Sequence, residues 1–147
     1  MEVHQDYKEL LKLFNDHNVE YVIVGAFTLA FYGHPRYTGD LDLLVEPDTA
    51  NAERIITAIH GFGFELLNLS VDDFTLPGKI VQLGVAPVRI DIITSLTGVP
   101  WADVEQHRVK GPFGDIEVFY LGRDEFIANK KALGRHKDLA DIEELSP

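Results

Sequence analysis

Hydrophobic residues near the start of the chain change from helical spacing to strand spacing. An i, i+3, i+4, i+7 pattern predicts an amphipathic helix at Tyr7, Leu10, Leu11 and Phe14. The wholly apolar run Tyr21–Val24 is typical of a short buried strand, and Gly25 ends it. Residues 26–32 contain good helix formers, so a second helix is expected there, with Gly33 as its stop.

The rest of the chain predicts further helices and strands. Helices are expected at residues 49–59, 123–133 and 137–145, with a short one opening at Trp101. Strands are expected at residues 41–45, 80–83, 88–93 and 116–120, and residues 84–87 read as a hairpin connection. A Gly-Pro turn region between Lys110 and Ile116 predicts another hairpin, whereas residues 62–78 give no clear pattern. Hairpins together with helical crossovers predict an α/β (α+β) fold with a mixed β-sheet flanked by helices.

Two acids interrupt one of these strands. Asp40 and Asp42 are two residues apart, so they point to the same face of a strand, and Leu41 and Leu43 point to the core. Two neighbouring carboxylates repel each other by about 1–4 kcal/mol at roughly 4 Å in a wet or semi-wet site. A bound divalent cation is the simplest way to remove this repulsion between the two carboxylates. The alternative is a turn acid followed by one solvent-facing strand acid.

Composition limits the class of protein. The chain has 147 residues, which indicates a single domain spanning 1–147 with a real core. Its 24 acids against 13 Lys plus Arg give a net charge of -11, which argues against a broad DNA-binding surface. Cysteine is absent, the first residues are polar, and no apolar run is long enough for a membrane span. We therefore expect a soluble, cytoplasmic protein that does not enter a membrane.

A glycine turn and a third strand acid add to the pair of aspartates. Gly25 and Ala26 lie between a strand and a helix, where backbone can approach a phosphate closely. Asp91 interrupts an apolar strand between Ile90 and Ile92, and the alternative for it is an edge-strand acid facing water. Three strand acids behind a glycine turn form a more specific combination than any of them alone.

In this combination the chain resembles the nucleotidyltransferase superfamily of DNA polymerase beta and kanamycin nucleotidyltransferase. The matching segments are residues 24–26, 38–43 and 89–92, and the tail 129–141 is similar to the small bacterial branch found in abortive-infection and toxin–antitoxin systems. The resemblance implies a nucleotidyltransferase-like sheet. It also implies that Asp40, Asp42 and Asp91 are the metal-binding and catalytic residues, holding two Mg²⁺ ions when NTP is bound.

The resemblance also suggests how the nucleotide is held. It implies that Gly25, Ala26 and Thr38 contact the triphosphate and that Asp91 helps to deprotonate the acceptor hydroxyl. A basic cluster near the C-terminus comprises Lys130, Lys131, Arg135, His136 and Lys137. We expect Lys131, Arg135 and Lys137 to bind nucleotide phosphates, the alternative being a solvated helix face. Four acids in this tail are predicted to be helix-start and surface residues: Asp138, Asp141, Glu143 and Glu144.

The leading hypothesis is a Mg²⁺-dependent nucleotidyltransferase that moves an NMP group from an NTP, such as ATP, to a hydroxyl acceptor. The acceptor would be a protein or an RNA, recognised with the help of a partner protein or in a homodimer. An alternative is a non-catalytic, antitoxin-like binding module, because many active members of the superfamily carry Ser or Gly where this chain has Ala26. A metal-dependent nuclease is a third alternative and explains the Gly25 turn less well.

Overall fold

The computed structural model describes residues 3–64, 68–85 and 87–145. Six α-helices are found in this part of the chain: α1 Gln5–Asp16, α2 Ala26–Phe31, α3 Thr49–Ile59, α4 Trp101–His107, α5 Arg123–Leu133 and α6 His136–Leu145. Six strands accompany them: β1 Tyr21–Val24, β2 Asp40–Val45, β3 Ile80–Leu83, β4 Arg89–Ile93, β5 Val109–Phe113 and β6 Ile116–Tyr120. Shorter helical segments are His60–Phe64 and Val71–Phe74.

The strands form one mixed sheet in the order β3-β4-β2-β1-β6-β5. Parallel pairing joins β2 to β4 and β1 to β6, whereas β1 with β2, β3 with β4, and β5 with β6 are antiparallel. This confirms the predicted fold class, a mixed sheet flanked by helices. It also confirms that the strands carrying the glycine turn and the three acids are neighbours.

Buried side chains cover both faces of the sheet. Alternation along β1 and β2 places Tyr21, Ile23, Leu41 and Leu43 in one core cluster, which also contains the buried faces of α1 and α3. Val22, Val24 and Leu44 belong to a second cluster with Phe126 of α5. Asp42 shares the face of Val24 and Leu44, so it lies beside the second cluster. None of the helices in the described residues is long and apolar enough to cross a membrane.

The predicted β5–β6 hairpin is confirmed, with its turn later than the Gly-Pro pair, and the other predicted connection lies partly outside the described residues. Gly111 and Pro112 belong to β5, and the chain turns at Gly114 and Asp115 instead. Pro112 is tolerated because β5 is the last strand of the sheet, where a missing N–H breaks no ladder. The β3–β4 hairpin is confirmed, but its connection includes Ala86, which lies outside the described residues, as do residues 65–67 of the segment without a clear pattern.

Candidate active site

The pairing of β2 with β4 brings the three strand acids together. Asp42 is directly opposite Asp91 in the parallel ladder, and Asp40 lies two residues before Asp42 on the same face. One carboxylate oxygen from each of Asp40, Asp42 and Asp91 lies within 4.8 Å of the other two. The expected proximity of these carboxylates is confirmed. Asp91 is 7% exposed and lies on an inner strand, so it is not the edge-strand acid of the alternative.

The ionised form of Asp42 is destabilised by its surroundings. Burial, followed by the negative charges of Asp40 and Asp91, raises the pKa of Asp42 to about 7. A carboxyl in this position holds its proton because its ionised form is poorly solvated and is repelled by like charges. A bound cation would reverse both effects, so the cluster suits a positively charged ligand.

Gly25 lies directly against this carboxylate. The antiparallel register places Val24 opposite Asp42, and the next residue, Gly25, turns into α2 with φ 73°. A Cβ at Gly25 would overlap Asp42 Oδ2 and would lie 3.2 Å from its Cγ. The glycine is therefore needed for two reasons: its left-handed backbone and the space that the Asp42 carboxylate occupies. The sequence suggested only that glycine would let a ligand approach.

Thr38 contacts Asp40. Its Oγ1 lies 3.2 Å from Asp40 Oδ1 and 3.1 Å from the Asp40 carbonyl oxygen, either of which can accept its proton. Thr38 Oγ1 also accepts a hydrogen bond from the Asp40 backbone amide at 3.3 Å. In this structure Thr38 therefore orients an acid of the cluster, and its predicted contact with a triphosphate stays a prediction.

Arg89 neutralises the third acid. Its Nε donates to Asp91 Oδ1 at 3.0 Å and one terminal nitrogen donates to Asp91 Oδ2 at 2.7 Å, a two-pronged pair. Both oxygens of Asp91 are thus engaged by a side chain of the same strand. The sequence contained the signal, because Arg89 and Asp91 are two apart in a strand and share a face. No role for Arg89 was predicted from the sequence.

The C-terminal basic cluster does not behave as one group. Arg135 pairs with Asp138 through Nε at 2.6 Å, and Lys130 lies 3.5 Å from Asp138 and 3.3 Å from Asp141. Lys131 and Lys137 are exposed and make no ion pair with any described residue. Of the three predicted nucleotide-binding cations, Arg135 has a partner within the protein, and a role for Lys131 and Lys137 stays a prediction.

Asp138 and Asp141 were predicted to be helix-start and surface acids. Asp138 does lie in the first turn of α6, but it is 0% exposed, and Asp141 is 3% exposed, so the prediction of surface residues was wrong. The hydrogen bond from Arg135 is the main reason why the pKa of Asp138 falls to about 2. These two acids hold three cations, Arg36, Lys130 and Arg135. Buried carboxylates need such partners, which the sequence places up to 105 residues away.

The three strand acids fit a divalent cation. Mg²⁺ prefers carboxylate oxygens and usually keeps several waters, so a few convergent carboxylates on one side of it are a typical protein contribution. Asp40 and Asp42 have oxygens available, whereas Asp91 is held by Arg89. Asp40, Asp42 and Asp91 could therefore hold a metal ion, with Arg89 as the competing cation.

Comparisons with known proteins give a fold and no sequence family. No protein-family model matches the chain, and no curated protein matches it significantly. A presumed nucleotidyltransferase from Thermotoga maritima shares the fold with a TM-score of 0.62 at 12% identity, over 94% of this chain and 88% of that one. An antigenic nucleotidyltransferase-like protein from Paracoccidioides brasiliensis gives a TM-score of 0.54 at 17% identity, over 95% of this chain and 72% of that one. The chain has the fold of these nucleotidyltransferase-like structures.

Proposed function

We propose that this protein is a Mg²⁺-dependent nucleotidyltransferase that moves an NMP group from an NTP to a hydroxyl acceptor. The observation that carries the proposal is the convergence of Asp40, Asp42 and Asp91 to within 4.8 Å beside the Gly25 turn. The fold shared with nucleotidyltransferase-like structures supports it. We further propose a toxin–antitoxin or abortive-infection context, which rests on the resemblance of the tail, and a cytoplasmic location, which rests on the absence of cysteine from the sequence.

The residues have distinct roles in this proposal. Asp40 and Asp42 would hold the divalent cation that accompanies the triphosphate, and the backbone at Gly25 and Ala26 would lie against the phosphates. When bound, Mg²⁺ would supply charge neutralisation of the carboxylates and of the triphosphate. In the reaction, the acceptor oxygen bonds to the α-phosphorus and the bond to pyrophosphate breaks. The proton of the acceptor hydroxyl passes to the Asp91 carboxylate, which Arg89 must first release. Catalysis of this kind is mainly positioning and charge neutralisation, which needs no covalent nucleophile.

Transfer of label tests the proposal. The protein is incubated with each α-labelled NTP, Mg²⁺ and mixtures of protein or RNA acceptors, and the acceptors are then separated and counted. Asp42→Asn is the matched control, because it keeps the shape of the side chain and removes its charge. Label transferred by the wild type and not by Asp42→Asn is the expected result. Equal label with both proteins would contradict the roles given to the strand acids.

A non-catalytic binding module remains the second candidate. Two observations favour it: Ala26 offers no hydroxyl at the start of α2, and Arg89 already occupies both oxygens of Asp91. In that case the partner is a protein, or a second copy of this chain, and its association should survive Asp42→Asn. Absence of label transfer from every NTP, together with unchanged partner binding by Asp42→Asn, would favour this module over the enzyme.

A further inference from the structure

The connector between α2 and β2, residues 34–39, leads directly into the strand acids and has little to hold it in place. It has no regular secondary structure, and Pro35, Arg36 and Tyr37 are exposed, Tyr37 to 87%. At the beginning of the connector the backbone amide of His34 donates to the Leu29 carbonyl. At its end the backbone amide of Arg89 donates to the Gly39 carbonyl. Apolar burial therefore does not fix its middle, and a side-chain contact has to do so.

Arg36 supplies that contact. One terminal nitrogen lies 3.1 Å from Asp141 Oδ1 and the other donates to Asp141 Oδ2 at 3.2 Å. The Arg36 side chain is 47% exposed, but that of Asp141 is 4% exposed. A planar guanidinium that meets both oxygens of a carboxylate has a defined orientation, unlike a single-point pair between flexible surface side chains. The middle of the connector is thus tied to α6, 105 residues further along the chain.

The anchor on α6 is itself held by several contacts. Lys130 of α5, with a side chain 13% exposed, lies between Asp141 at 3.3 Å and Asp138 at 3.5 Å. Asp138 in turn accepts from the backbone amide of Arg135 at 3.1 Å and from its Nε at 2.6 Å. We call Arg36, Lys130, Arg135, Asp138 and Asp141 the α6 charge cluster. Because its carboxylates are buried and have several partners, Asp141 presents a fixed position to Arg36.

We propose that Arg36 is a positioning residue for the metal site, and that the α6 charge cluster fixes Asp40 by holding the connector through Arg36. Arg36 is two residues before Thr38, whose hydroxyl contacts the carboxylate of Asp40. The backbone of Asp40 is held in β2 opposite Arg89, but Thr38 lies outside the strand, so loss of the Arg36 tie frees the Thr38 hydroxyl and leaves the Asp40 carboxylate less well oriented toward Asp42 and Asp91. This inference rests on the proposed function, in which Asp40 binds a metal ion.

Metal affinity is the first test, with Mn²⁺ alone as the probe. In Arg36→Ala the buried Asp141 keeps Lys130 as a cation, so the fold is expected to persist. Loss of a residue that orients metal ligands typically weakens metal binding about 10–100-fold, and we expect the lower end of that range here. Arg36→Lys should restore part of it. Arg108→Ala is the matched control, because Arg108 pairs with Glu20 at 2.7 Å, just before β1 and away from Gly25; its Mn²⁺ affinity should equal that of the wild type.

Proteolysis of the metal-free protein is the second test. Chymotrypsin cleaves after exposed tyrosines in mobile segments, and Tyr37 follows Arg36 directly. Cleavage after Tyr37 should be several-fold faster in Asp141→Asn, which releases Arg36 without altering the cleaved sequence. In the double variant Arg36→Ala with Asp141→Asn, the loss of Mn²⁺ affinity should be no greater than in the worse single variant, because the Arg36–Asp141 contact is broken by either change.

The outcomes separate this inference from the proposed function. Wild-type Mn²⁺ affinity in both Arg36→Ala and Asp141→Asn overturns the positioning role, even if cleavage after Tyr37 becomes faster. Additive losses of affinity in the double variant overturn it too, because the two residues would then act independently. No saturable Mn²⁺ binding by the wild type would overturn the proposed function and the positioning role with it, and the cleavage rates would then test only whether Arg36 holds the connector.

Discussion

Arg89 holds both carboxylate oxygens of Asp91, at 3.0 and 2.7 Å, inside the group of acids that could bind a metal ion. A guanidinium and a metal ion on the same carboxylate repel each other and compete for its lone pairs, so binding of one weakens binding of the other. Arg89 thus stabilises the metal-free state by compensating a nearly buried carboxylate.

Removal of Arg89 should therefore destabilise the metal-free protein and strengthen its binding of a metal ion. Arg89→Ala is expected to lower the melting temperature of the metal-free protein, because Asp91 loses its cation. The rise in melting temperature on adding Mn²⁺ should become larger than in the wild type. Differential scanning calorimetry with and without Mn²⁺ measures both. An equal Mn²⁺ response in wild type and variant would mean that Asp91 does not contribute to metal binding.

Asp42→Asn should abolish the response to ligand. A ligand at about 100 times its Kd stabilises a protein by about 2.7 kcal/mol. The wild type should show this gain with Mg²⁺ plus NTP, and the variant should show none, because a carboxylate of the cluster is gone. The measurement is the free energy of unfolding in urea with and without ligand. A variant that unfolds without ligand, beside a wild type without a Mg²⁺ response, would make these carboxylates purely structural.

The raised pKa of Asp42 predicts how stability depends on pH. Its pKa is about 7 in the folded protein against 3.8 for an ordinary Asp, so the folded state binds this proton more tightly than the unfolded state does. Stability from this group is fully present below pH 3.8 and is lost as the pH rises toward 7. Metal-free Asp42→Asn should therefore be more stable than the wild type at pH 8, with the difference vanishing near pH 4. A constant difference across this range would contradict the assignment.

Gly25→Ala should damage both the fold and the site. The backbone of Gly25, with φ 73° and ψ -150°, costs a residue with a Cβ about 1–3 kcal/mol, and here the new atom also displaces the Asp42 carboxylate. Gly78→Ala is the matched control, because Gly78 has φ 76° and no atom within 4 Å of an added Cβ. Both variants should lose stability in urea, but Gly25→Ala should lose more and should also lose its Mn²⁺ response. Equal losses would show that the space beside Asp42 is not limiting.

The C-terminal cations should separate into two groups. Arg135→Ala should lower the melting temperature, because a buried Asp138 loses its main partner. Since the pKa of Asp138 is lowered to about 2, the stability it contributes is present above about pH 4 and is lost as the pH falls to 2. The double variant of Lys131 and Lys137 to Ala should melt like the wild type. Titration with NTP then shows whether these two lysines bind phosphate, and unchanged affinity would assign them to a solvated helix face.

Local patterns in the sequence were sufficient for much of the fold. The period-two run around Asp40 and Asp42 predicted which residues face the core, because the alternation of a strand is a property of its backbone and needs no partner. The helical stripe ending at Phe14 likewise identified the buried face of α1. The glycine at position 25 and the three strand acids could be recognised because residues of these types are unfavourable in such places without a reason.

The tertiary structure decided which charges meet. The ladder register of β2 and β4 sets Asp42 opposite Asp91, and no single segment contains that register. The same holds for the tie between Arg36 and Asp141, and for the burial of Asp138 and Asp141, which were predicted to be surface acids. The physical reason is that secondary structure depends on neighbours a few residues apart, whereas burial and charge pairing depend on residues that only chain folding brings together. The sequence therefore determined the type of elements and the candidate acids, and the fold decided how each acid is compensated.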